Sequence, residues 1–198
     1  MQERKLYEKY KPYSHWQNHP TSYAELFSNF LREHKFKGTI IDAGCGTGRD
    51  VNFFNQYGFD ARGIDISEEN IKKSKANFPG LKFEIQKIEN LKFGGNSVDA
   101  IFMINVIHYL KKEEAIKQIF RVLKPGSYFF IHFNLEIIDK DGNIDYFQSE
   151  EEVLELVSKF NIIHAHKFNR VDSLPVEHKH TIFELILQKP EASKKPKK

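Results

Sequence analysis

Three glycines at alternate positions, Gly44, Gly46 and Gly48, stand in the stretch IIDAGCGTGRD (residues 40–50), directly behind Asp42. Glycine lets a backbone bend sharply and approach a ligand, and a helix starting there presents unpaired N–H groups to it. Asp65, in FDARGIDI, follows Gly48 by 17 residues, about where a carboxylate accepts hydrogen bonds from both hydroxyls of a ribose. Together these residues describe a nucleotide-type crevice. The spacing is G-x-G-x-G rather than the G-x-G-x-x-G of pyrophosphate binders, which counts against a dinucleotide-binding dehydrogenase. The plainer alternative is a tight strand–helix turn with Asp65 as an ordinary acid near a helix.

Such a crevice needs strands and helices in alternation, and residues 37–133 supply them. GTIIDAG reads as a buried strand, RDVNFFNQYG as a short helix stopping at Gly58, and FDARGIDI as a second strand. SEENIKKSKANF is a helix with Ser67 as N-cap and two acids in its first turn. LKFEIQK, VDAIFMIN and SYFFIHFN are three further strands, and KKEEAIKQIFRVLKPG is an amphipathic helix stopping at Pro125-Gly126. Alternation of this kind predicts a parallel sheet covered on both faces. Residues 134–148 read as an excursion with a turn at Asp141-Gly142, and SEEEVLELVSKF as a capped helix. NIIHAHKFNRV and HTIFELILQK then predict an antiparallel hairpin.

Composition narrows the class. With 198 residues, 40% of them hydrophobic and 18 of them Phe, the chain has the material for one domain and a full core. Its single cysteine excludes a disulfide framework or a Cys-rich metal site, and suits a reducing, cytoplasmic compartment. The charged start MQERKLYEKYKPYSHW is no signal peptide, and no run has the length of a membrane span. The net charge of +3 resides in the tail EASKKPKK (191–198), expected to be disordered, so residues 1–190 sum to zero. A neutral body argues against nucleic acid as the main partner. The expected organisation is one domain over 1–190: a helical cover (1–35), a cofactor core (36–134), and a C-terminal helix and β-hairpin (135–190).

With these segments in order, the chain resembles the class I S-adenosylmethionine-dependent methyltransferases. IIDAGCGTGRD resembles the family's first motif, GIDIS its second-strand acid, IENLKFGGNSVDAIFMINVIHYL its third- and fourth-strand region, and RVLKPGSYFFI its fifth-strand motif. The likeness runs over about residues 38–133, and YFQSEEEVLELVSKFNII is similar to the region that follows in small members. It implies a three-layer α/β sandwich around a seven-stranded, mostly parallel Rossmann-like sheet whose last strand is antiparallel. It also implies S-adenosyl-L-methionine as cofactor. By this resemblance the loop of Gly44, Cys45, Gly46 and Gly48 runs against the cofactor, Asp42 serves its amino end and Asp65 its ribose. Ile66 packs on adenine, the main chain around Ile88 and Glu89 reads the adenine edge, and Asn105 lies by the methionine part. Many members carry an acid where this chain has Lys87, so adenine recognition passes to the backbone, Gln86 or Glu89.

Methyl transfer is an in-line displacement that needs alignment and, for a protonated acceptor, removal of a proton. Ligands sit outside the carboxyl ends of the parallel strands, and an antiparallel last strand presents its beginning at that edge. This sorts the nine histidines. His108 follows the fourth strand and is the candidate general base. His132 near the end of the fifth strand, Arg170 at the end of the sixth, and His178 and His180 at the start of the last are candidate substrate contacts. Tyr13 and Trp16 of the N-terminal cover are candidates to close over the pocket, as is the 134–148 excursion. His164 and His166 read as structural, and His34, just before the core, has no evident role. His178-x-His180 puts two imidazoles on one strand face, but a metal needs further ligands, so no metal is expected.

Asn105-Val106-Ile107-His108 is not the Asn/Asp-Pro-Pro-Tyr/Phe motif of base-amino methylation, and Cys45 lies within the glycine loop rather than at an acceptor. The expected acceptor is a small-molecule O, N or S nucleophile. The rivals are an RNA or protein methyltransferase that recruits through the Lys-rich tail, and a non-catalytic cofactor-binding subunit.

Overall fold

The computed structural model describes residues 20–139, 142–145, 147, 149–173 and 177–191. The expectations for the N-terminal cover before residue 20, including Tyr13 and Trp16, and for the tail from residue 192 lie outside the described residues.

Five strands, β1 (Thr39–Ala43), β2 (Asp60–Asp65), β3 (Lys82–Ile85), β4 (Val98–Ile104) and β5 (Leu123–Asp139), run parallel. A short strand, β6 (Gly142–Asp145), turns back on β5, and β7 (Asn161–Asp172) and β8 (His178–Gln188) complete the sheet. Its order is β3-β2-β1-β4-β5-β8-β7, with β8 antiparallel to both neighbours. The seven-stranded, mostly parallel sheet with an antiparallel last strand is thus present, and β6 lies off that path as an eighth strand.

Alternation along β4 explains the layers, because successive side chains of a strand point to opposite faces. Ala100 and Phe102 face α1 (Ser22–Glu33), α2 (Arg49–Gln56) and α3 (Glu68–Asn77), through Phe27, Leu31, Phe54 and Ile71. Ile101 and Met103 face α4 (Lys112–Val122) and α5 (Glu150–Leu156), through Ile116, Ile119 and Val153. Phe102 is fully buried, with ring centroids of Phe54, Phe130 and Phe27 at 5.0, 5.2 and 5.9 Å. Helix α1 starts where the Thr21 side chain accepts the Ala24 N–H, and α3 where Ser67 accepts that of Asn70.

Two expectations need correction. Helix α4 ends at Val122, not at Pro125-Gly126, because the residue before a proline is driven out of helical conformation and Leu123 already pairs with Val98. The segment 134–148 is not a free excursion over the cleft. Residues through Asp139 continue β5, because β8 reaches back far enough to pair with them, from Glu136↔Thr181 to Asp139↔His178. Beyond β6, Phe147 is buried 5.2 Å from the Phe133 ring, on the α4 side.

Candidate functional site

The carboxyl ends of β1, β2 and β4 open into a cleft of about 690 Å³. Asp42, Gly44, Cys45, Gly46, Asp65, Ile66, Ile88, Glu89 and Asn105, all named from the sequence, line it together. Gly48 does not line it. Its φ of 87° and the 2.7 Å from a hypothetical Cβ to Phe83 make it a turn and packing glycine, which corrects its assignment to the cofactor. Gly44 is constrained in the same way: a side chain there would strike Val106 at 2.3 Å. At Gly46, with φ 54°, nothing lies within 4 Å of the Cβ position. This is the glycine whose missing side chain leaves room for a ligand.

The floor of the cleft is acidic. Asp42 is 4% exposed, and burial first, then the nearby Asp50 charge, raises its carboxyl well above the ordinary range; Arg49 acts in the opposite sense. Asp50 is also raised by burial, although Arg49 and the Thr21 N–H, which donates to Oδ1 at 2.7 Å, lower it. Desolvated carboxylates with a single guanidinium between them favour a cationic ligand. Asp50 was missed from sequence; its signal was an acid in the first turn of the helix that follows the glycine turn.

Asp65 fastens the loop to the second strand. Its Oδ2 accepts the Gly46 N–H at 3.0 Å and keeps a second lone pair, while its Oδ1 accepts the Ser67 N–H at 2.8 Å and Asn70 Nδ2 at 3.4 Å. Ile66, 68% exposed, is an apolar platform beside it. Gln86 is spent internally: Nε2 donates to Glu84 and Oε1 accepts the Lys92 N–H. Glu89 differs, since Oε1 accepts the Lys111 N–H while Oε2 is buried with no hydrogen-bond partner. An orphaned acceptor of this kind suits an amino group arriving with a ligand.

At the other end of the cleft Asn105 adopts φ 56°, a left-handed conformation that asparagine tolerates better than most residues. Its Oδ1 accepts from Asn134 Nδ2 at 3.1 Å, and Asn134 Oδ1 lies 3.1 Å from His180 Nδ1. Beyond this bridge lies a cluster on the α1 side of β5, β7 and β8. The Tyr23 and His132 rings meet at a tilt of 58° with centroids 4.6 Å apart, and Arg170 Nη1 donates to the Tyr23 hydroxyl at 3.4 Å. His132 is buried with neither ring nitrogen hydrogen-bonded, and Arg170 Nε and Glu184 Oε2 are buried without partners too. Burial, then the charges of His108, Arg170 and His180, holds His132 well below the usual histidine range. Tyr23, Asp172 and Glu184 were missed from sequence, because only the packing of α1 on the sheet and the register of β7 and β8 bring them here.

His108 is corrected. It does not line the cleft; it is 4% exposed in the turn after β4, its ring 6.3 Å from that of Phe147. Nε2 accepts the Asn134 N–H at 2.8 Å, and burial holds the ring down to about 3. A lone pair committed to a backbone N–H is not available to an acceptor's proton.

The comparisons agree with this geometry. Residues 41–131 match the family described as "Methyltransferase domain". A putative methyltransferase of Bacillus subtilis, YqeM, is 28% identical over 134 residues, covering 63% of this chain and 54% of that protein. The O-methyltransferase cnsE of Penicillium expansum is 33% identical over 97 residues, covering 44% and 35%. A solved SAM-dependent methyltransferase of Methanosarcina mazei superposes with a TM-score of 0.66 at 22% identity, covering 79% of this chain and 94% of that one. Residues 41–131 are thus similar to a methyltransferase domain, and the sheet around them has the fold of a solved SAM-dependent methyltransferase. The matched segments span only about half, or less, of the curated relatives' own lengths. Among the described residues no helix is long and apolar enough to cross a membrane.

Proposed function

We propose that this protein transfers a methyl group from S-adenosylmethionine to a small-molecule O, N or S nucleophile. The observation that carries this reading is the line of residues from Asp65 through Gly46 and Asp42 to Asn105, which ends, through Asn134, on a buried cluster with unpartnered polar atoms. The first part suits the cofactor and the second an acceptor. Asp65 takes the ribose hydroxyls, Ile66 the adenine face and Glu89 Oε2 the adenine amino group. Asp42 takes the cationic amino end, with Asp50 adding to the field. Tyr23, His132 and Arg170 bound the acceptor.

Bound there, the cofactor would be held by Asp42, Asp65 and Glu89 and would supply an electrophilic methyl group on a sulfonium, for an acceptor bounded by Tyr23, His132 and Arg170. The protein's share is alignment and exclusion of water. His108 and His132, both held far below neutrality, are poor bases at pH 7. In this reading His108 holds β5 in position against the turn after β4, and does not touch the acceptor.

Calorimetry with S-adenosylmethionine, followed by a methyl-transfer screen over amines, phenols, thiols and carboxylates, tests the proposal. Saturable cofactor binding with turnover of a small acceptor is expected. Turnover only with RNA or protein, lost on deleting residues 191–198, would reverse the choice of acceptor class. Cofactor binding with no transfer to any class would favour a non-catalytic subunit.

A further inference from the structure

His178 and His180 stand two apart on β8, so both side chains leave the sheet on the same side. Their ring centroids are 4.8 Å apart, and both imidazoles are buried. Across the ladder Asp172 of β7 pairs with His178, and Arg170 with His180. Asp172 Oδ2 lies 3.8 Å from His178 Nε2 and 3.2 Å from His180 Nε2. One ligand atom from each of the three residues falls within 4.8 Å of the other two.

The decisive feature is the protonation pattern of His180. Asn134 donates through Nδ2 to Asn105 Oδ1, so its own Oδ1 is the acceptor facing His180 Nδ1. A neutral imidazole carries one N–H; spent on Asn134, it leaves Nε2 as a bare lone pair. That nitrogen is buried and makes no hydrogen bond, although a carboxylate oxygen is 3.2 Å away. His180 Nε2 is buried and the Asp172 carboxylate is only partly exposed, so two acceptors this close repel each other unless a proton or a metal cation lies between them.

We propose that Asp172, His178 and His180 bind one divalent transition-metal ion of the zinc type, leaving a coordination position for a fourth ligand. Two imidazoles and a carboxylate are a donor set that zinc accepts, and tetrahedral bonds of 2.0–2.1 Å place ligand atoms roughly 3.3 Å apart. The observed 3.2 and 3.8 Å are near this spacing, and the widest separation, up to 4.8 Å, would have to close on binding. The outer partners fit as well. Asn134 orients His180 through its far ring nitrogen, and Arg170 Nη2 donates to Asp172 Oδ2 at 2.9 Å, as groups behind metal ligands do. The oxygen still has lone-pair capacity beside that bond. The sequence showed only the two histidines; the third ligand comes from strand register. If the methyltransferase reading holds, the fourth position would take the acceptor and acidify its O–H or S–H.

The test uses tag-free full-length protein, stripped with chelator and titrated with Zn²⁺ by calorimetry and with Co²⁺ followed by visible absorption. S-adenosylmethionine affinity is measured on the same preparation. One equivalent bound, with the intense absorption of four-coordinate Co²⁺, is expected. His178→Ala, His180→Ala and Asp172→Asn should each abolish it, and Asn134→Ala should weaken it by about 10–100-fold. If a variant fails to fold, the wild-type Co²⁺ spectrum alone decides: a weak, octahedral-type band overturns the site. Absence of saturable binding, as a proton shared between His180 and Asp172 would produce, or binding unchanged in the folded variants, also overturns it. Retained S-adenosylmethionine affinity in that event leaves the methyltransferase reading standing.

Discussion

The backbone N–H of Asn134 donates to His108 Nε2 at 2.8 Å, tying the far half of β5 to the turn that follows β4. The bond fixes a neutral imidazole between two elements, and stability should follow its charge. The folded-state pKa, about 3, lies below the ordinary 6.5, so this stabilisation is complete above pH 6.5 and is lost as pH falls toward 3. The slope contributed by His108 is about 1.4 kcal/mol per pH unit inside that window. Chemical denaturation at stepped pH should show it, and His108→Gln should flatten it while leaving S-adenosylmethionine affinity near the wild-type value. A variant that loses turnover but keeps full stability would return His108 to a role in the reaction.

Asp65→Ala should weaken S-adenosylmethionine binding by roughly 1.5–3 kcal/mol, the range for hydrogen bonds to a charged group. It should also loosen the glycine loop, since Asp65 accepts the Gly46 N–H. Calorimetry on the folded variant decides. Unchanged affinity would remove Asp65 from the ribose site.

The glycines should separate by role. Gly46→Val meets open space in the cleft, so the protein should fold and lose cofactor affinity, at some cost from its positive φ. Gly44→Val and Gly48→Val meet Val106 and Phe83, and should lower the melting temperature more. A Gly46→Val protein that folds and binds normally would count against this loop as the cofactor's path.

Asp42 ties cofactor binding to pH. Its carboxyl is raised by burial in the apo protein, so folding is favoured as pH falls, and the penalty for ionising it grows as pH rises through the raised value. A cationic amino group placed beside it lowers that pKa. Binding should therefore release a proton, and affinity should rise with pH across the window between the two values. Titration calorimetry in buffers of different ionisation enthalpy would detect the release, and Asp42→Asn should abolish it.

The aromatic layer under the cleft gives a purely structural prediction. Phe102→Ala removes a fully buried ring and should destabilise by about 3–5 kcal/mol. Denaturant melts would show this as a lower midpoint with little change in slope.

Much of this protein is local information and is legible in the chain. Gly44, Gly46, Asp42 and Asp65 act within one strand–turn–helix–strand unit, where a fixed number of residues sets a fixed geometry, so spacing alone brought them to one cleft, while Gly48 serves the turn and its packing. Alternating apolar residues likewise determined which face of β4 meets which helices. The acceptor side is different in kind. Tyr23, His132, Arg170 and Asp172 come from three distant segments, and their meeting depends on β8 running antiparallel between β5 and β7 with one particular register. His108 shows the same limit in reverse. Its place after β4 was correct, but whether its ring faced the cleft or a backbone N–H of β5 was decided by how far β5 continued. That length was set by its pairing partner, β8, about forty positions away in the chain.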